Sequence, residues 1–331
     1  MPQIRQNIAT KEWVIIATER AKRPEEFAKK LEKKSLPAFV ESCPFCAGNE
    51  AKTPPEIMRI DSNGKWQVRV TPNKFPALSS EGKSVYSFEG LQRNITGIGI
   101  HEVIVETPLH NITTALLSVP EVENVLQAYL SRYISISADA RIEHIIIFKN
   151  HGEAAGTSLE HPHSQLIALP VVPSQVRHRV EEAMRYFDDH GECVFCRMAK
   201  EEIESKERVV LESKDFVAFL PYAAFSPFHM WILPKRHAAS FSEITRNELS
   251  DLSYVLRTVL AKLYWGLENP DYNYVLNSAP LDTGSRYLHW YVSIVPRVTK
   301  SAGFELGSGM FINVALPEKS AEFLRNVKIP E

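Results

Sequence analysis

All four cysteines of the 331-residue chain fall in two pairs of identical spacing, Cys43-Pro-Phe-Cys46 and Cys193-Val-Phe-Cys196. Two histidines follow each pair at long range. They are His110 and His161 for the first pair, and His237 and His289 for the second. The histidines of a set lie 51 and 52 residues apart, respectively. Two thiolates and two imidazoles close a tetrahedral zinc site, which ties loops together and does no chemistry itself. Buried apolar cysteines or redox pairs would give the same local spacing. Two parallel sets with matched histidines favour metal, at about one ion per closed site. His101 and His229 are rival ligands to His110 and His237, and iron fits the same donors.

The text around the ligands repeats as well. His101-Glu-Val-Ile-Val-Glu-Thr-Pro-Leu-His110 resembles the segment from His229 to His237, each reading as a strand, a proline turn and a histidine ahead of a helix. Ile145-Ile-Ile-Phe-Lys-Asn150 resembles Tyr272-Asn-Tyr-Val-Leu-Asn277. The chain therefore reads as two copies of one α+β unit, residues 1–172 and 173–331. Periodicity predicts strands at 12–18, 65–70, 143–149, 216–220, 229–233, 272–277 and 287–295. It predicts helices at 119–136, 175–189 (ended near Gly191) and 247–263. Ser242 is the first candidate for the N-cap of the last helix and Thr245 its rival. The charged stretch 25–42 lacks a strong period and reads as a surface loop or irregular helix.

The formal net charge of −2 gives no field to recruit nucleic acid or an anionic membrane. No apolar run reaches the length of a membrane span, and the N-terminus lacks a signal-peptide pattern, so the expected location is the cytoplasm. Paired thiols there bind metal more often than they form disulfides.

His161-Pro162-His163-Ser164-Gln165 holds the chemistry. In an extended segment His161, His163 and Gln165 share one face. Neutral imidazole is a good nucleophile toward phosphorus, and attack at a nucleotide's α-phosphorus gives a covalent nucleotidyl-histidine. Gln165 is placed to donate to a phosphoryl oxygen. The loop 152–158 offers backbone N–H groups, with the hydroxyls of Thr157 and Ser158. Arg20, Lys22 and Arg23 could neutralise a diphosphate. The plainer readings are a third metal ligand or core histidine at 163, an ordinary hairpin loop, and a solvated charged turn. A shift of 128 residues takes His161 to His289, and it takes His163 and Gln165 to Tyr291 and Ser293. The second copy thus lacks the nucleophile, and one active site per chain is expected.

These residues resemble the galactose-1-phosphate uridylyltransferase family of the histidine-triad superfamily over nearly the whole chain. The His-Pro-His-x-Gln motif carries the likeness. It implies two tandem histidine-triad-like units, each an antiparallel sheet with helices, clamped by zinc. His163 would be the nucleophile, and Gln165 would stand where triad hydrolases carry another histidine. The second ligand set resembles a plant-type ADP-glucose:phosphate adenylyltransferase branch. So do Arg20-Ala-Lys-Arg-Pro24 and Ser164-Gln165 followed by Ala168-Leu-Pro-Val-Val-Pro173. Pro162 sides instead with the uridylyl enzymes. The resemblance further implies Asn73 and Phe75 near the nucleotide, and Asn150, Gly156 and Ser158 around the phosphates. Gly303-Phe304-Glu305 would contact the hexose. It implies ping-pong transfer between a nucleoside diphosphate-hexose and a hexose-1-phosphate, first of all uridylyl transfer between UDP-glucose and galactose-1-phosphate, with adenylyl transfer from ADP-glucose to phosphate as the alternative, in a homodimer. A nucleotide hydrolase and a zinc-organised nucleic-acid module are the competing classes. Gln165 argues against the first, and the near-neutral charge argues against the second.

Overall fold

The computed structural model describes residues 1–20, 22–28, 36–283 and 286–330, with Arg20 described by its backbone alone. Much of the predicted surface stretch 25–42, namely 29–35, and the Arg20 side chain lie outside the described residues. What is described of that stretch includes a short 3-10 helix at Pro24–Phe27.

The chain opens with β1 (Gln3–Gln6) and β2 (Trp13–Ile16), which pair antiparallel. The first unit continues with β3 (Met58–Ser62), β4 (Lys65–Pro72), the detached hairpin β5 (Tyr86–Glu89) and β6 (Gln92–Ile95), and β7 (Ile100–Val105). Helix α1 (Val119–Ser137), β8 (His144–His151) and β9 (His163–Leu169) complete it. Next come α2 (Ser174–His190), α3 (Val194–Ser205), β10 (Val209–Glu212), β11 (Phe216–Phe219) and β12 (Met230–Pro234). Helix α4 (Arg246–Gly266), β13 (Tyr272–Asn277) and β14 (Tyr291–Pro296) follow, then α5 (Gly303–Ser308), β15 (Phe311–Asn313) and α6 (Pro317–Asn326). β15 returns to pair parallel with β2.

Ten strands form one sheet in the order β10-β11-β12-β14-β13-β8-β9-β7-β4-β3. Its halves, β3-β4-β7-β9-β8 and β10-β11-β12-β14-β13, have the same internal order and meet at the antiparallel pair β8–β13. The register fixes the relation between them. Gln165 lies opposite Phe148 and Ser293 opposite Val275, while Phe148 and Val275 lie opposite each other. A local two-fold axis therefore passes between Phe148 and Val275, normal to the sheet. Such an axis keeps equivalent side chains on the same face.

The opposite face carries α1 and α4. Val122, Val125, Leu126 and Tyr129 of α1, at helical spacing, pack with Leu252, Val255, Leu256 and Val259 of α4. Ile145, Ile147, Leu166, Ala168, Tyr274, Leu276 and Ile294 complete one core continuous across both units. Alternation along the strands sends the remaining residues, His163 and Gln165 among them, to the other face, where α2 and α3 pack against the strands of the second unit.

Helix α4 starts one residue after Thr245, whose hydroxyl accepts from the Glu248 N–H at 3.3 Å while the Glu248 carboxylate accepts from the Thr245 N–H. Thr245 is thus the N-cap and Ser242 is not: Ser242 belongs to a separate 3-10 turn, Phe241–Glu243. Gly191 ends α2 in the left-handed region, at φ 72°. The second cysteine pair opens the 12-residue helix α3, with Cys193 as its N-cap and Cys196 in its first turn. Among the described residues, no helix is long and apolar enough to cross a membrane.

Candidate active site and metal clusters

The turn carrying Cys43 and Cys46 is tied by Asn49, whose side-chain amide donates to the carbonyls of Val40, Glu41 and Cys43. It abuts the start of β9. There, Cys46 Sγ lies 3.5 Å from His110 Nδ1 and 3.6 Å from His161 Nδ1. Bonds of about 2.3 Å to sulfur and about 2.05 Å to nitrogen at the tetrahedral angle separate S from N by about 3.5 Å. The donor set thus fits a single metal ion. His161 Nε2 donates to the Thr107 carbonyl at 2.8 Å, which leaves Nδ1 as the ligating atom. All four side chains are buried.

The second set repeats the arrangement. Cys196 Sγ lies 3.2 Å from His237 Nδ1 and 3.5 Å from His289 Nδ1, and His289 Nε2 donates to the Pro234 carbonyl at 2.9 Å. Within each set every ligand atom lies within 4.8 Å of the others. His101 and His229, the rival ligands, belong to neither set.

His163 stands at the first position of β9, buried, with its ring 5.3 Å from that of Phe45. Its Nδ1 donates to the His161 carbonyl at 2.8 Å, so the free lone pair is on Nε2. Burial lowers its pKa, and the Lys149 ammonium adds to this against the pull of the His161 carbonyl. Burial and the Lys149 charge thus favour the neutral imidazole, the form that can act as a nucleophile.

Behind β9, on the face that carries α1 and α4, lies a buried polar cluster. Lys149 donates to Glu106 at 2.6 Å, and Thr114 donates to the same carboxylate at 2.9 Å. Ser164 and Tyr129 also bond to Glu106. Burial alone would raise the Glu106 carboxyl, but the Lys149 charge and these hydrogen bonds overcome it and hold the group below its ordinary value. Lys149 Nζ reaches the His163 carbonyl as well, at 3.4 Å. A Lys149→Met variant strands a buried carboxylate and should cost about 3–5 kcal/mol. Denaturant unfolding checks this, and a loss under about 1 kcal/mol would contradict the buried ion pair.

Gln165 is oriented by His101 of β7. The Ala77 N–H donates to His101 Nδ1 at 3.2 Å, which places the ring proton on Nε2, and Nε2 donates to Gln165 Oε1 at 2.8 Å. The amide NH2 of Gln165 is then left to donate elsewhere. Asn73 Nδ2 lies 3.0 Å from the same His101 nitrogen, and Asn73 Oδ1 accepts from the Phe75 N–H. Phe75 itself is 81% exposed.

The loop 152–158 leads from β8 to this strand. Gly152 has φ +84°, and a Cβ there would meet the Asp271 carboxylate at 2.0 Å. Asp271 also accepts from the Ala154 N–H at 2.8 Å. Gly156, at φ +86°, faces open space, Thr157 Oγ1 donates to the Leu159 carbonyl, and Ser158 is exposed. Asn150 accepts from Asn273 of the second unit, which also donates to the Ala155 carbonyl, both at 2.8 Å.

The structure thus brings together His163, Gln165, Asn73 and the first metal cluster. It places other residues singled out from their sequence context elsewhere. Lys22 and Arg23 line a cavity with Lys319, Glu322 and Phe323 of α6, and among the described residues no hydrogen bond links them to β9. Gly303, Phe304 and Glu305 form the first turn of α5, where Glu305 accepts from the Ala302 N–H. Sequence reading missed the orienting role of His101 and the Lys149–Glu106 pair. The placement of His101 opposite His229 in the two copies was its one available signal.

Comparison with known proteins agrees with this geometry. The family described as galactose-1-phosphate uridyl transferase, N-terminal domain, matches residues 1–173, and its C-terminal domain matches residues 179–326. The ADP-glucose phosphorylase of Arabidopsis thaliana is 38% identical over 99% of this chain and 93% of its own length. The galactose-1-phosphate uridylyltransferase of Thermotoga maritima is 28% identical over 99% of both. The crystal structure of the Arabidopsis thaliana ADP-glucose phosphorylase with bound ADP-glucose superposes with a TM-score of 0.83, at 33% identity and complete coverage of both chains. The chain belongs to the galactose-1-phosphate uridylyltransferase family.

Proposed function

We propose that this chain is a nucleotidyltransferase that works by ping-pong through His163, with ADP-glucose as donor and phosphate as acceptor. The observation that carries the mechanism is the imidazole itself. It is buried, which favours its neutral form, Nδ1 is committed to the His161 carbonyl, and among the described residues Nε2 has no hydrogen-bond partner. His163 Nε2 attacks the α-phosphorus. An N–P bond forms, the P–O bond to the hexose-1-phosphate breaks, and the leaving oxygen takes the electron pair. The Nδ1 proton stays on the ring, where the His161 carbonyl stabilises the charge that develops. An acceptor phosphate oxygen then attacks the same phosphorus, and the N–P electron pair returns to Nε2. Gln165, its carbonyl oxygen held by His101, donates its amide to a non-bridging phosphoryl oxygen in both steps.

Each Cys2His2 set holds one zinc ion in this reading. Soft thiolates with imidazole suit zinc, and a four-ligand set leaves no open position, so both sites are structural. The nucleotide lies between Asn73, Phe75 and β9, with its phosphates against Asn150 and the loop carrying Gly156, Thr157 and Ser158. The units divide at 172/173, the active form is a homodimer, and Gly303, Phe304 and Glu305 contact the hexose. Lys22 and Arg23 lie beside α6 and away from β9, so the diphosphate role read for Arg20, Lys22 and Arg23 is not carried into this reading. Thiolate ligands suit a reducing compartment such as the cytoplasm.

ADP-glucose is favoured by the higher identity to the Arabidopsis enzyme, 38% against 28%. The second reading, UDP-glucose with a hexose-1-phosphate acceptor, is favoured by Pro162 in the His161-Pro-His163 run. Incubation with α-phosphorus-labelled ADP-glucose or UDP-glucose, followed by denaturation at neutral pH, decides between them. ADP-glucose should leave up to one label per chain on wild type and none on His163→Asn. Labelling by UDP-glucose alone would install the second reading, and no labelling by either would overturn the ping-pong mechanism.

A further inference from the structure

The local two-fold axis places a counterpart of the active site on the same sheet face, in the second unit. There Tyr291 occupies the place of His163, with Phe195 stacked on it at 5.5 Å as Phe45 packs on His163. Ser293 occupies the place of Gln165, and His229 that of His101. The counterpart is not filled in. A cavity of about 440 Å³ lies over these residues.

Its lining is suited to a ligand. Phe225 supplies partly exposed aromatic surface, and the buried rings of Phe195, Trp231 and Tyr291 complete that wall. Arg179 of α2 donates to Asn277 Oδ1 at 2.6 Å and to the Tyr291 hydroxyl at 2.8 Å, and among the described residues it has no carboxylate partner. Glu12, held by Thr10 Oγ1, is the one carboxylate among the lining residues. Two buried imidazoles in the wall are incompletely bonded. His144 is 3% exposed and His229 is 2% exposed, and among the described residues neither Nδ1 has a hydrogen-bond partner. For His229 the proton can be assigned. Trp231 Nε1 donates to His229 Nε2 at 3.0 Å, so the ring proton sits on Nδ1, a buried donor without an acceptor. The matching nitrogen of His101 is satisfied by the Ala77 N–H. A buried donor without a partner is destabilising, and a native fold tolerates that most readily where something else completes the site.

We propose that this cavity is a second, non-transferring nucleotide site. It takes a nucleoside 5′-phosphate, with the phosphate at Arg179 and the base against Phe225 and Trp231. Without an imidazole at position 291, binding there forms no covalent adduct. The choice of a nucleotide, rather than another aromatic anion, rests on the reading of the first unit as nucleotide-binding.

Equilibrium dialysis of the full chain with labelled AMP, and separately UMP, tests this. Wild type should bind one more equivalent than Arg179→Gln, whose second site weakens roughly ten- to hundredfold through loss of a charged hydrogen-bond donor. Labelling at His163 should be unchanged in that variant. Val176→Trp, which fills the cavity and spares Arg179, should lose the same equivalent. If neither substitution removes an equivalent of AMP or UMP, the proposal is overturned. The criterion is the difference between wild type and variant, so it holds even if the first site binds nothing and the His163 reading fails.

Discussion

Nucleotidyl transfer falls on the order of 10⁴- to 10⁶-fold in His163→Asn, as expected when a covalent nucleophile is removed, while metal content and melting temperature stay close to wild type. Asparagine keeps a polar group in the pocket beside Phe45 and can still donate toward the His161 carbonyl, so the packing around β9 survives. It lacks the lone pair at the Nε2 position, so no N–P bond can form. Steady-state kinetics, melting and metal analysis on one preparation check all three statements. A variant retaining a tenth of wild-type turnover would remove His163 from the reaction.

His161→Ala should do the opposite to structure. The ring bridges the Cys43–Cys46 turn to β9 through Nδ1 and to the Thr107 carbonyl through Nε2. Its loss opens a closed four-ligand site and strips one metal ion, so bound metal should drop from about two per chain to about one. Structural zinc contributes roughly 10 kcal/mol or more in small metal-dependent domains. Here a large apolar core carries part of the fold, so a loss of roughly 4 kcal/mol and a melting shift of roughly 10 °C are expected. Activity falls as well, because β9 loses the anchor that presents His163. Chelation of wild type should reproduce the shift. Equal metal loss in His161→Ala and His163→Asn would sink the division of labour between the two histidines.

That proposed division can be read from the sequence because it rests on a repeat. His161 has a histidine at the matching place, His289, and His163 has Tyr291. The ligand sets were legible for the same reason, since a metal cluster needs particular side chains in a particular order and the chain writes the order twice. The long helices were legible from their apolar period. The N-cap of α4 was not settled, because Ser242 and Thr245 offer the same hydroxyl. Only the backbone turn at Phe241–Glu243 decides between them.

The amino-acid sequence by itself determined which side chains group as candidate metal ligands, which imidazole is proposed to attack phosphorus, and that the second unit has Tyr291 at the matching place. Tertiary structure decided the state in which those groups act. The proton position on His163 depends on a carbonyl two residues away across a bend. The free amide of Gln165 depends on His101, 64 residues distant, and the buried charge of Lys149 on Glu106, 43 residues distant. Strand register sets these partners, and register follows from how whole strands bury their apolar faces. The same register creates the two-fold axis, and with it the cavity at Arg179 that no local motif announces.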